Sequence, residues 1–311
     1  MTLPTPCRAP RFDPSRASVA GHGEYFWQDE EGRLQQVIRE TIAMEAPGAC
    51  LIGTLSSVNE PRLLVLINGA TGVKAAFYRP FADWLAAERQ AAVLTWDYRD
   101  FGASGSPHGS RATMTDWAIH DATAARRWLE ARHPGLPLWV IGHSLGGMAM
   151  AFQDGTDAIA RIITVAAGHG HVTDHPWPFQ GFAWMLWYLL GPISATALGY
   201  LPGRRLRLGN DLPKGVFWQW RRWLLDRGAL PADPALGGIR RPGFSGPLTL
   251  VALTDDVMIP PDAVWKMASW HPAAQVTRRA LDPAAFGLSG IGHVQAFAPR
   301  CSAVWPALIA P

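Results

Sequence analysis

Charge is scarce in this chain, and what there is follows no pattern. Asp, Glu, Lys and Arg make up only 17% of the 311 residues, and the net charge is +3. There is no long Lys/Arg block and no zinc-finger spacing. The electrostatic footprint of a nucleic-acid binder is therefore missing, and no nucleic-acid partner is expected. Cysteine is also rare: Cys7, Cys50 and Cys301 are far apart and odd in number, which outlines neither a disulfide framework nor a CxxC site. Met1 to Phe12 holds several prolines and arginines but no apolar stretch. A secretory signal is not expected, and a cytoplasmic location is. Internal repeats and low-complexity tracts are missing as well.

Apolar side chains, by contrast, are plentiful at 48%. That is enough to build a large core and speaks against a disordered chain. Trp is high at 15, while 26 Pro and 31 Gly imply many turns between short elements.

Along the chain, residues 1–22 read as an irregular lead-in. Leu34–Ile42 and Ala49–Leu55 read as strands of a hairpin or meander, with Glu31-Gly32 as a turn. A strand–helix rhythm follows. Leu63-Leu64-Val65-Leu66-Ile67 is a continuous apolar run, as expected of a strand buried on both faces of a parallel sheet. Phe77, Phe81, Trp84 and Leu85 recur at helical spacing. Ala92–Trp96, Leu138–Ile141, Arg161–Val165, Leu248–Leu253 and Gln275–Leu281 supply further strands. Helices are expected near Asp116–Ala131, where Thr113 and Asp116 resemble a capping box, and near Asp262–Trp270. Phe297, Cys301, Val304 and Trp305 suit a terminal helix. This alternation predicts an α/β fold, a mostly parallel central sheet with helices on both faces, whose strand C-termini share the edge where ligands bind. The rhythm stops between residues 170 and 240, where Phe182–Leu190 and Gly215–Arg227 read as helices. The expected organisation is a core of residues 23–169 and 241–311, with 170–240 inserted as a helical cap.

Gly142-His143-Ser144-Leu145-Gly146 fits G-x-S-x-G, directly after an apolar strand and before a small-residue helix. In that setting the serine sits on a sharp turn with its hydroxyl above the sheet. A serine hydroxyl is a weak nucleophile and needs a base, itself oriented by a third group. Asp255-Asp256-Val257-Met258-Ile259-Pro260 follows the strand Leu248–Leu253 and offers Asp256, with Asp255 as fallback. Ser289-Gly290-Ile291-Gly292-His293 offers His293 from a loop before the terminal helix. His143 adjoins Ser144, but the turn should point it away from the hydroxyl, so it reads as a packing residue. The Leu145 N–H is one candidate oxyanion donor. The loop Asn68-Gly69-Ala70-Thr71-Gly72 offers a second at Ala70, with Asn68 expected to bond the loop backbone.

With these segments in order, the chain resembles the α/β-hydrolase superfamily from about residue 30 to 305. The resemblance implies Ser144 as nucleophile, Asp256 and His293 as its partners in that chain order, and Ala70 and Leu145 as the oxyanion hole. Asp97-Tyr98-Arg99-Asp100-Phe101-Gly102-Ala103-Ser104 is similar to a D-x-R-G-x-G-x-S loop of the superfamily, with Asp100 where Gly is usual. Asn68–Val73, Leu208–Val216 with Trp218, and Ile291-Gly292-His293 resemble a bacterial group labelled serine-aminopeptidase-like.

The expected chemistry is hydrolysis of a carboxylic ester or thioester of a small, largely apolar molecule through an acyl-enzyme. The alternatives are acyl transfer by the same triad, peptidase action, or a non-catalytic ligand-binding homologue. No cofactor or metal is expected; His169, His171, Asp174 and His175 read as a polar loop. Pro176 to Gly203 has no charged side chain. Its apolar run is read as interrupted by Gly191-Pro192, too short to span a bilayer. It is read as cap packing and acyl-pocket lining, with membrane-surface contact aided by Arg204, Arg205 and Arg207 as a further use.

Overall fold

The computed structural model describes residues 25–28, 34–240 and 243–311; the lead-in 1–22 and the Glu31-Gly32 turn lie outside them. The strands are β1 (Tyr25–Gln28), β2 (Leu34–Ala46), β3 (Ala49–Ser57), β4 (Leu63–Asn68), β5 (Ala91–Trp96), β6 (Leu138–His143), β7 (Ile159–Val165), β8 (Tyr200–Leu201), β9 (Leu212–Pro213), β10 (Pro247–Leu253) and β11 (Gln275–Leu281). Nine of them form one sheet in the order β1-β2-β3-β5-β4-β6-β7-β10-β11. From β5 to β11 every pairing is parallel, while β1, β2 and β3 join antiparallel at one side. The hairpin strands run past their expected ends because the turn between Ala46 and Ala49 needs only two residues, with Gly48 at φ 72°.

The apolar run of β4 shows why this sheet is buried on both faces. Successive side chains of a strand point to opposite sides. Leu64 and Leu66 enter one core, while Leu63, Val65 and Ile67 enter the other. The helix Arg79–Arg89 closes that second core, with the Phe81 ring edge-on to Phe297 and Trp305. On the opposite face the chain enters its helix through the predicted cap: Thr113 N–H donates to Asp116 Oδ2, and Asp116 N–H donates to Thr113 Oγ1. The first turns, Asp116–Asp121, are π-helical before the α-helix Ala122–Arg132.

Between β7 and β10 the chain leaves the main sheet for helices and the short β8–β9 pair. Here one expectation is corrected. Gly191-Pro192 does not interrupt the apolar helix, which runs from Phe179 to Leu198, 20 residues. By length and composition it is sufficient to cross a bilayer. A proline in a helix interior removes an N–H and crowds the preceding turn. The helix adapts by widening to a π-turn over Leu186–Leu190. In that i→i+5 register, the Trp187 carbonyl would take its bond from the N–H that Pro192 lacks. Arg221 Nε donates to it instead, at 2.6 Å, and the Arg221 guanidinium also lies over the Tyr188 and Trp218 rings. We therefore expect Arg221→Ala to strand this carbonyl and lower stability by about 1–3 kcal/mol, read by urea denaturation; an unchanged midpoint and slope would refute the account.

Candidate active site

The site is built where β4 and β6 end side by side, with Asn68 paired to Gly142. Ser144 follows β6 at φ 51° and ψ −116°, a strained conformation for a residue bearing a Cβ. The flanking glycines make that turn possible. A Cβ on Gly142 would lie 2.4 Å from Gly147 Cα, and one on Gly146 would lie 2.2 Å from the Asn68 carbonyl oxygen. Strand, turn and helix therefore meet at backbone contact, and the turn lifts Ser144 out of the sheet.

The structure brings the three expected side chains together. His293 Nε2 is 3.1 Å from Ser144 Oγ, and His293 Nδ1 is 2.8 Å from Asp256 Oδ2. Asp256 is buried, and its other oxygen accepts the Met258 and Ile259 N–H groups at 2.8 and 3.0 Å. Asp255 has a different task. Its Oδ2 accepts the N–H groups of Ile291 and Gly292 at 2.7 and 2.9 Å, bracing the loop that carries His293. The two adjacent carboxylates thus divide the work: one faces the imidazole, the other holds its backbone.

His143 is wholly buried and points away from the hydroxyl, as expected, but it is part of a chain of polar contacts. The His293 carbonyl can only accept, so His143 Nε2 carries the proton across 2.8 Å. Nδ1 is then an acceptor and receives the Tyr78 hydroxyl proton across 2.7 Å. Tyr78 Oη in turn accepts the Ala70 N–H at 2.9 Å. Burial, reinforced by the charge of His293, lowers the His143 pKa to about 3, so this ring stays neutral at working pH. Burial likewise raises the Tyr78 phenol. Nothing in the residue spacing singled out Tyr78; a hydroxyl on an otherwise apolar buried face, which must find a partner, was the available signal.

This contact corrects the Ala70 assignment. The Ala70 N–H is committed to Tyr78, because a buried hydroxyl and a buried amide satisfy each other. The next residue, Thr71, lines the cavity with Ser144 and Leu145. Its N–H has no acceptor among the described residues. Asn68 is corrected too: Oδ1 accepts from Trp96 Nε1 at 3.2 Å, not from the loop backbone. Asp100, the departure from Gly in its loop, takes φ 56°, the left-handed conformation that Asp tolerates better than most residues. Its carboxylate accepts the Ser110 hydroxyl at 2.6 Å. Asp97 holds the same region together, accepting from the Ala75 and Ala103 N–H groups.

Above Ser144 lies a cavity of about 710 Å³, open mouth included. Helix Phe179–Leu198 contributes Phe179, Phe182, Leu186 and Trp187 to its wall, and helix Lys214–Leu225 contributes Trp220, Trp223 and Leu224. Among the described residues, no Asp, Glu, Lys or Arg lines it. The second helix is tied down by Asp233, whose carboxylate accepts from Gln219, Arg222 and Trp223. Burial alone would raise this group, but those bonds outweigh it and lower its pKa to about 2. Among the described residues no cluster of three His, Cys, Asp or Glu side chains is placed to hold a metal. His169 and His171 instead contact the carbonyls of Trp223 and Leu225, and Asp174 pairs with Lys266.

A mostly parallel sheet with this strand order, carrying a serine on a tight turn after β6, defines the α/β-hydrolase fold. The chain has this fold in common with solved structures. Residues 59–197 match a family model described as serine aminopeptidase, S33. Similar solved structures include a hypothetical protein of Pseudomonas aeruginosa (13% identity, 88% of this chain and 94% of that one, TM-score 0.55). A thermophilic esterase from Thermogutta terrifontis is another (18%, 86% and 96%, TM-score 0.51). Est1E from Butyrivibrio proteoclasticus is a third (15%, 86% and 95%, TM-score 0.50). No curated protein matches the chain in sequence.

Tyr78→Phe keeps the ring but leaves the Ala70 amide and His143 Nδ1 without partners. Stability should fall by about 1–3 kcal/mol, measured by chemical denaturation. A variant as stable as the parent would mean the bonds are not made.

Proposed function

We propose that the protein is a serine hydrolase that cleaves a carboxylic ester or thioester of a small, largely apolar molecule through an acyl-enzyme. The observation that carries this reading is the Asp256–His293–Ser144 line of contacts at 2.8 and 3.1 Å, on the floor of an apolar cavity.

In this mechanism Ser144 Oγ attacks the substrate carbonyl carbon while His293 Nε2 takes its proton. Asp256 keeps the imidazole in the tautomer that presents Nε2 as acceptor and stabilises the imidazolium that forms. The negative charge on the carbonyl oxygen falls to the N–H groups of Leu145 and Thr71. Loss of one such donor typically costs about 100- to 1000-fold in rate. His293 then returns the proton to the departing alcohol or thiol. Water, deprotonated by the same imidazole, releases the acid and restores Ser144.

The uncharged cavity wall favours an acyl or aromatic group over a peptide with a free amino terminus, since no carboxylate there would hold an ammonium. Ester or thioester cleavage therefore ranks above aminopeptidase action, despite the description of the matched family model.

Purified protein should be labelled by a fluorophosphonate probe, and Ser144→Ala should abolish the labelling. Retained labelling in that variant would refute the assignment. With p-nitrophenyl esters, burial of each methylene is worth about 0.8 kcal/mol, so kcat/KM should rise about fourfold per added carbon until the cavity is filled. A profile that falls from acetate onward would exclude an acyl group seated in the cavity.

A further inference from the structure

A helix that is apolar all round is ordinarily buried; helix Phe179–Leu198 is not. Its inner face, Ala183, Leu186, Trp187, Gly191 and Ala195, is buried. Its outer face is equally apolar and open. Trp184, Met185, Tyr188, Leu189 and Ile193 are all exposed, Tyr188 and Ile193 by 59% each. They form one stripe with a four-residue repeat. Trp177, just before the helix, is 72% exposed. Contiguous apolar surface of this kind marks an interaction site.

Charge indicates the occupant. From Asp174 to Asp211 no carboxylate side chain intervenes, while Arg204, Arg205 and Arg207 follow shortly after the helix and are exposed. An indole, a phenol and aliphatic side chains, followed in the chain by a cationic turn, suit the boundary between acyl chains and anionic headgroups. A second copy of this chain fits less well. Two-fold pairing through one stripe brings each patch against itself, setting the arginine turns of both copies near one another, where Asp211, accepting the Arg204 N–H, is the carboxylate beside three arginines in each.

Although long enough to span a bilayer, the helix is held along its length. The Trp187 ring stacks on Phe217 at 5.9 Å and meets Trp220 edge-on at 4.9 Å. A Cβ at Gly191 would sit 2.5 Å from the Phe217 ring. Crossing a membrane would undo these contacts and the cavity wall with them. Lying flat on a surface keeps both.

We propose that the outer face of helix Phe179–Leu198 is a docking surface for anionic phospholipid membranes, which sets the cavity against the lipid phase that holds its substrate. The last clause rests on the hydrolase reading; the docking itself does not.

The test is co-sedimentation of the full chain carrying Ser144→Ala, which leaves lipids intact. Phosphatidylcholine vesicles with and without phosphatidylglycerol are compared. We expect binding to vesicles containing phosphatidylglycerol, weakened by salt and weakened about fivefold for each of Arg204, Arg205 and Arg207 replaced by Gln. Joint replacement of Trp184, Tyr188 and Leu189 by Gln, a good helix former, should abolish binding. In the Ser144-intact background the same triple variant, its helicity checked by circular dichroism, should cleave a short soluble ester at the parental rate. Three results would overturn the proposal: no binding to either vesicle, undiminished binding by the triple variant, or a dimer in sedimentation velocity that the triple replacement dissolves. A chain that binds vesicles but resists the fluorophosphonate probe would sink the hydrolase reading and leave the docking surface intact.

Discussion

The constraint on which the site depends is the backbone contact between the turn after β6 and the end of β4. Gly146 lies so close to the Asn68 carbonyl that a methyl group would overlap it. This closeness lets Ser144 hold φ 51°, and strain of that kind persists only where the surroundings over-determine it. It also sets the loop that begins at Asn68 beside the Ser144 turn. The carboxylate follows the end of β10, so its place is set by the sheet, while the imidazole sits in a loop beyond β11 and needs further anchoring.

A second layer of contacts fixes the loops that the sheet cannot. Ala70 N–H, Tyr78, His143 and the His293 carbonyl form one directional line in which each group has a single consistent role. It ties the loop after β4, the Ser144 turn and the His293 loop to one another through a neutral buried ring. Asp255 adds an independent brace through two amide hydrogens of residues 291 and 292. Preorganisation here is a matter of backbone anchoring. The groups proposed to react are held by neighbours that take no part in the chemistry.

The parallel sheet was legible because apolar runs such as Leu63–Ile67 report burial on both faces directly. Ser144, Asp256 and His293 were legible because each lies just past a strand end or in a glycine-rich loop. What escaped depended on partners distant in sequence. Spacing alone did not reveal that Tyr78 would claim the Ala70 amide. The continuity of helix Phe179–Leu198 was hidden for a similar reason. Gly-Pro reads as a break in an isolated segment, yet a π-turn and the Arg221 side chain, donated from another helix, absorb it. Periodicity also did not show which side of that helix faces solvent, since both are apolar.

The scarcity of charge bears on chemistry as well as on folding. With no Asp, Glu, Lys or Arg among the described residues of the cavity wall, an imidazolium formed at His293 has Asp256 as its adjacent counter-charge. Low polarity strengthens that pairing relative to water and makes an unpaired substrate charge costly to bring in. One property therefore serves two ends. In the proposed hydrolysis, the wall that makes a charged substrate costly to admit would also let a single buried carboxylate and a few fixed N–H dipoles govern the charge that develops during attack. A charged residue added to that wall for substrate recognition would compete with both. Under the proposed hydrolysis, preference for apolar acyl groups and stabilisation of the charge at His293 would both follow from the same absence.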